Sequence, residues 1–260
     1  MTRFMGVDIG SSTTKGVITG NGSIEAFIII PTGSNFREAA EKLHKGLLEE
    51  AGLKAEDIAF TTVTGHGTGN IPFGDQKAAD MRCCARGINR LFPSVRTVMD
   101  VQGQSSQVIR VSESGQVVNF VVSEKCASGS GRFLDIISNV LQVRLEDVGP
   151  LSLESDNPVV FTTGCAVFGE SEAISRVAEG IPKEDILAGV HNALAEKISA
   201  LVDRLGLEEE CAISGGGALN MGLVKRLEEK LGVKLKVPEH PQLVNAIGAA
   251  VMAEESYKEK

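Results

Sequence analysis

An aspartate-led turn occurs twice in this 260-residue chain, its aspartates Asp8 and Asp100 standing 92 positions apart, and that duplication constrains the fold more than any other feature. The first copy runs FMGVDIGSSTTKGVITGNGSI from Phe4 to Ile24; the second runs TVMDVQGQSSQVIRVSESGQV from Thr97 to Val117. Each is an apolar strand, an aspartate, a turn rich in glycine and hydroxyl groups, a second apolar strand and a glycine-containing turn. A repeat of this kind implies two similar half-structures facing each other. Glycine and Ser/Thr in a tight turn offer backbone N–H groups and hydroxyls to phosphate oxygens. An aspartate at the strand end repels phosphate, so it suits Mg²⁺ or a metal-bound water. Either copy alone also reads as an ordinary β-hairpin with a D-x-G turn; the alignment of the two aspartates favours a cleft for Mg–nucleotide.

A third glycine cluster fits the same cleft. The short apolar strand Cys211–Ser214 enters Gly215-Gly216-Gly217-Ala218-Leu219-Asn220, and a helix-like stretch Met221–Lys230 comes next. Three glycines let the backbone approach a flat ligand or a phosphate, and the helix start after them favours negative charge. The order DIGSSTTK, DVQGQ, SGGGALN resembles the two-domain ATPase superfamily of sugar kinases, actin and the heat-shock chaperone ATPases. The resemblance covers nearly the whole chain. It implies an α/β fold of two ribonuclease H-like lobes with a nucleotide cleft between them. It further implies that the first two motifs hold the phosphates and Mg²⁺ from opposite lobes while the third lies against adenosine.

Composition narrows the partners. At 27.5 kDa, 42% hydrophobic and rich in glycine, the chain reads as an ordinary α/β protein. A net charge of −8 with no basic block argues against nucleic acid or an anionic membrane. No run approaches the roughly 20 apolar residues that span a bilayer, and the N-terminus enters a strand at once, so a cytoplasmic location is expected. Strand patterns fall near residues 4–7, 16–18, 25–30, 59–64, 97–99, 107–111, 117–121 and 212–214; helical patterns cover about 35–51, 75–90, 131–139, 170–177, 183–205, 219–230 and 244–255. The expected lobes are 1–95 plus 243–260, and 96–242. The run Val63–Gly69 reads as a strand-to-loop transition able to line the cleft, with His66 a loop residue.

The five cysteines sort by context. An acidic cytoplasmic protein argues against disulfides. Cys83 and Cys84 sit within a helical pattern and Cys211 begins a buried strand, so all three read as packing residues. Cys126 and Cys165 differ, each lying in a polar stretch at the start of a helix: EKCASGSGRF and TTGCAVFGE. A helix N-terminus lowers a thiol pKa and favours a thiolate ligand. Two cysteines cannot close a Cys₄ site, but two chains related by a twofold axis can; the residues alone leave open whether they do.

KCASGSGRFLD and TTGCAVFGESE resemble the cluster-ligand segments of the activators of 2-hydroxyacyl-CoA dehydratases, a family that includes ATPase subunits of benzoyl-CoA reductase and reductases of double-cubane-cluster proteins. The resemblance implies a homodimer with one bridging 4Fe–4S cluster, held by Cys126 and Cys165 of each subunit. It implies an ATP-dependent, low-potential electron donor to an iron–sulfur dehydratase or reductase, itself recharged by a ferredoxin or flavodoxin. Asp8 and Asp100 would hold Mg²⁺ through water. Gly10, Ser11, Ser12, Thr13, Lys15 and Gly103 would serve the phosphates of ATP or ADP. Gln104 would orient the attacking water, and Gly215, Gly216, Gly217 and Asn220 would border adenosine. Two motifs depart from the family. Where relatives read DIGGQD this chain has Asp100-Val101-Gln102-Gly103-Gln104-Ser105, and TGHGTG stands where TGYGR is common. A small-molecule kinase on the same fold, or a nucleotide-switch scaffold with incidental cysteines, are the competing classes.

Overall fold

The computed structural model describes residues 1–123, 129–161 and 166–259. These divide into two compact units: residues 1–95, 111–118 and 238–260 form unit 1, and residues 96–110 and 119–237 form unit 2.

Unit 1 is built on a five-stranded sheet of order β3-β2-β1-β4-β5, with β1 Arg3–Ile9, β2 Thr13–Gly20, β3 Ser23–Pro31, β4 Ile58–Thr64 and β5 Gln76–Lys77. β1, β2 and β3 form an antiparallel meander, and β4 returns parallel to β1. Period-2 alternation sends successive side chains to opposite faces. Met5, Val7, Ile9 and Ile18 pack with Leu43 and Leu47 of helix α1 (Phe36–Ala51). On the other face Val17 packs with Ala246, Ile247 and Ala250 of the last helix, α8 (Val244–Lys258), while Phe4 and Phe60 meet its Ala253. With helices on both faces, nearly every residue of β1 is buried. α1 starts where the Asn35 side chain accepts from the N–H groups of Arg37 and Glu38, and stops at Gly52 in the left-handed region.

The helical pattern expected from residue 75 begins later, at Asp80, where α2 (Asp80–Leu91) starts. Residues 75–78 are held in extended pairing instead. Asp75 N–H donates to the Thr61 carbonyl (2.9 Å), Ala78 N–H donates to the Val63 carbonyl (3.0 Å), and the Asp75 carboxylate accepts from Thr61 N–H (2.8 Å). Tertiary pairing overrides local propensity there.

The second sheet has the order β10-β9-β6-β7-β8, with β6 Thr97–Val101, β7 Ser106–Val111, β8 Val117–Val122, β9 Cys211–Ser214 and β10 Leu235–Lys236. This is the first sheet's topology strand for strand: an antiparallel hairpin on β6, then β9 parallel to β6. The helices are α3 (Gly131–Leu141), α4 (Leu145–Ser152), α5 (Ala166–Ala178), α6 (Lys183–Leu205) and α7 (Met221–Leu231). Met99, Val101, Val108 and Ile213 pack with Phe133 and Ile137 of α3 and Leu187, Val190 and Leu194 of α6 in one core. α4 and the two-residue β5 and β10 are too short to leave a periodic signal. Among the described residues no helix is long and apolar enough to cross a membrane.

Candidate functional site

In unit 1 the pairing of β1 with β2 sets Asp8 directly across from Lys15. Lys15 Nζ donates to Asp8 Oδ2 at 3.0 Å, in an ion pair whose side chains are 13% and 7% exposed. The turn between the strands closes with Gly10 N–H donating to the Thr13 carbonyl (3.1 Å). It is braced from β3: Thr32 N–H donates to the Ser12 carbonyl (3.0 Å), Thr32 Oγ1 donates to the Gly10 carbonyl (2.8 Å), and Thr14 and Thr32 share a hydroxyl contact of 2.8 Å. Thr14 and Thr32 are buried, while Ser11 and Thr13 are half-buried and Ser12 is exposed. A buried carboxylate, an adjacent ammonium and an open hydroxyl turn are thereby fixed on one rigid hairpin.

Unit 2 repeats the frame with different side chains. β6 and β7 set Asp100 across from Gln107. Asp100 Oδ2 accepts from Gln107 Nε2 (3.0 Å) and Gln102 Nε2 (2.6 Å), and Oδ1 accepts from Ser214 Oγ (3.0 Å). Asp100 is buried and Gln104 is exposed. Gln102 and Gln107 each bring a side-chain amide to the carboxylate.

The third motif is also duplicated, which the sequence motifs alone did not reveal. Thr64-Gly65-His66-Gly67 succeeds β4 as Ser214-Gly215-Gly216-Gly217 succeeds β9, and each enters a short 3₁₀ turn. Thr64 pairs with Asp8, and Ser214 with Asp100. Gly65 and Gly215 take the same conformation, φ 93°, ψ 177° and φ 80°, ψ −178°. A Cβ at Gly65 would lie 2.4 Å from Asp8 Oδ1, and one at Gly215 would lie 2.9 Å from Asp100 Oδ1. The glycine loop closes over the aspartate in both units. The signal that could have revealed it was the spacing T-G-x-G against S-G-x-G, hidden because only two glycines and a terminal asparagine coincide. Asn220 Oδ1 caps α7 by accepting from Leu223 N–H (3.0 Å) and faces His191 Nε2 at 2.9 Å. Gly216 is exposed and Gly217 buried.

A family description matches residues 5–253 of the chain, that of the BadF/BadG/BcrA/BcrD ATPase family. The chain belongs to this family. Over 256 residues it is 39% identical to the 2-hydroxyisocaproyl-CoA dehydratase activator of Clostridioides difficile, covering 98% of this chain and 96% of the relative. The crystal structure of component A of the (R)-2-hydroxyglutaryl-CoA dehydratase of Acidaminococcus fermentans superposes with a TM-score of 0.95 at 35% identity, covering 99% of this chain and 100% of that one. The activator of the Clostridium difficile 2-hydroxyisocaproyl-CoA dehydratase, solved with bound ADPNP, gives 0.94 at 38% identity, covering 99% and 96%. Two ribonuclease H-like units of the actin-like ATPase fold are thus what this family member has.

Cys126 and Cys165, the ligands suggested by the family resemblance, lie outside the described residues. The helices that their segments enter are described. α3 begins at Gly131, after Cys126, and α5 begins at Ala166, next to Cys165. The first turns of the two helices touch, since a Cβ at Gly169 of α5 would lie 2.9 Å from the Phe133 ring of α3. Cys83, Cys84 and Cys211 are buried. Burial pushes the Cys83 thiol up to about 12 and the Cys211 thiol up to about 11, so both stay protonated and poor as metal ligands.

Proposed function

We propose that this chain is an ATP-driven, low-potential electron donor to an iron–sulfur enzyme of the 2-hydroxyacyl-CoA dehydratase or double-cubane type. It works in the cytoplasm as a homodimer sharing one 4Fe–4S cluster, recharged by a ferredoxin or flavodoxin. The observation that carries this reading is whole-length agreement with dehydratase activators, one of them solved with ADPNP, in a chain that also has cysteines at 126 and 165.

The residues fit the groups the reading needs. Buried carboxylates held by hydrogen bonds suit a hard cation or its water shell, and Asp8 and Asp100 are both of that kind. Lys15 and the turn Gly10–Thr13 would serve the phosphates, with Gly103 from the second repeat; Gly215, Gly216, Gly217 and Asn220 would border adenosine. Gln104, exposed on its turn, is free to reach an attacking water. In sequence, Cys126 precedes α3 and Cys165 directly precedes α5, and a cysteine at a helix start would have its thiolate favoured by the helix dipole. The cluster supplies one-electron chemistry at low potential. Phe168, Ile174 and Val177 expose apolar surface on α5 beyond Cys165, as a twofold partner requires.

Anaerobic purification tests the reading. The dimer should carry about four irons, in line with Cys₄ ligation of one cluster. Cys126→Ala or Cys165→Ala should abolish the iron and the brown colour, whereas Cys211→Ala should keep both. A colourless, iron-free wild-type dimer that phosphorylates a small molecule would make it a kinase instead.

A further inference from the structure

Ser106, the first residue of β7, is buried and stands directly after the Asp100 turn. Its N–H donates to Ser123 Oγ (3.0 Å) and its carbonyl accepts from Ser123 N–H (2.8 Å). Its hydroxyl donates to the Gly129 carbonyl at 2.5 Å. Residues 123 and 129 are the two ends of the stretch that carries Cys126, so one serine fastens both ends to the strand that continues the turn.

The Asp100 turn also holds the start of α3. The first turn of an α-helix leaves N–H groups without intrahelical acceptors. α3 satisfies two of them from the Asp100 turn: Gly131 N–H donates to the Gln102 carbonyl (2.9 Å) and Arg132 N–H to the Gly103 carbonyl (3.1 Å). Ser130 Oγ also donates to the Gly103 carbonyl, at 3.2 Å. Backbone groups that a ligand would move by seating on residues 102–105 are the acceptors that end the cysteine stretch. Hydrogen bonds weaken steeply as their geometry departs from the favourable range, so the turn, Ser106 and the start of α3 must shift together or come apart.

We propose that Ser106 is the positioning residue that makes nucleotide state felt at Cys126. This deepens the proposed function and rests on it. A ligand biases such a device only through its different affinity for the two arrangements, and the same coupling then works in both directions.

The test uses the cluster-loaded dimer with ADP or with a non-hydrolysable ATP analogue. The readout is the rate at which bathophenanthroline disulfonate strips iron. The wild type should show a ratio between the two nucleotide states of about fivefold or more, the lower end of ordinary coupling. Ser106→Ala, which removes the hydroxyl bond to Gly129, should keep its iron and its ATP hydrolysis while that ratio falls below the wild-type value. Ser106→Thr, which keeps the hydroxyl, should restore it. A Ser106→Ala dimer with the wild-type ratio overturns the proposal. Should Ser106→Ala fail to hold iron, Ser123→Ala removes one acceptor at one end only. Its ratio must then fall below that of the wild type, and an unchanged ratio overturns the proposal. A wild-type dimer without iron instead defeats the functional reading, so the two failures are distinct.

Discussion

In unit 1 the aspartate that ends the first strand faces a lysine across the hairpin; in unit 2 its counterpart faces a glutamine. Backbone frame, glycine loop and cross-strand register are otherwise the same, down to a Cβ-excluding contact over each carboxylate. Lys15 sets a positive charge beside Asp8. The amides of Gln102 and Gln107 and the hydroxyl of Ser214 donate to Asp100. Duplication thus preserved what positions a carboxylate and changed the residue set against it across the hairpin. A carboxylate–ammonium pair suits the phosphate end of a nucleotide, where the lysine does the attracting. An amide in the lysine's place brings no positive charge of its own to compete with a cation.

The glycine loops over the two carboxylates are the most sensitive part of the shared frame. Gly65 and Gly215 lie in a region essentially reserved for glycine, at a cost of about 1–3 kcal/mol for any other residue. Their missing Cβ atoms would also fall 2.5 and 2.4 Å from the carbonyl oxygens of Ile9 and Val101. Gly65→Ala and Gly215→Ala should each cost upwards of about 3 kcal/mol in urea unfolding and remove ATP hydrolysis. If one position tolerates alanine while the other does not, the two loops are not equivalent.

Exchanging the cross-strand partners is a smaller perturbation and separates the two roles. Lys15→Gln should weaken ADP binding by about tenfold, the scale of one charge-assisted hydrogen bond, with little change in the Mg²⁺ concentration needed for turnover. Gln107→Lys should do the reverse, raising the Mg²⁺ requirement by about tenfold as the new cation competes with the metal. Calorimetric ADP titrations and Mn²⁺ binding measured by electron paramagnetic resonance would read the two effects apart. Equal Mg²⁺ dependence in both variants would show that the asymmetry does not sort the cation.

Much of this was legible in the sequence, and the exceptions have physical causes. The aspartate repeat, the apolar strands and the long amphipathic stretch 183–205 carry local periodicity, and each became the expected element. Gln107 and Ser214 went unnoticed because their importance comes from register: only the pairing of β6 with β7 and β9 brings them to Asp100. Gln104 stands out by motif position and is exposed on its turn, whereas the amides of Gln102 and Gln107 come to the carboxylate only through the fold. Likewise Ser106 has no motif of its own; three hydrogen bonds formed on folding give it its place.

The smallest expected effect concerns the anchor of the third motif in unit 2. His191 is buried in α6, with Nδ1 at 2.7 Å from the Leu187 carbonyl and Nε2 at 2.9 Å from Asn220 Oδ1. Burial holds its pKa below the ordinary imidazole value, with Arg226 adding to the depression, although both hydrogen bonds oppose it. The folded state therefore refuses a proton that the unfolded chain accepts below about pH 6.5. Protons bound in excess by the unfolded chain make stability fall as pH falls through that window, and the contribution is complete above it. His44 on α1, stacked on Phe73, is also lowered by burial and acts in the same sense, so it must be replaced separately. His191→Gln should cost about 1 kcal/mol at neutral pH, the worth of one buried hydrogen bond. Its deficit relative to the wild type should narrow on acidification, because glutamine does not titrate. Hydrogen exchange at Leu223 N–H, which Asn220 caps, localises the effect: exchange should quicken in acid in the wild type, beyond the intrinsic rate, and not in the variant. Identical pH profiles of unfolding in wild type and His191→Gln would mean that the Asn220 anchor stands without the histidine, and the third motif of unit 2 would then need no more support than that of unit 1.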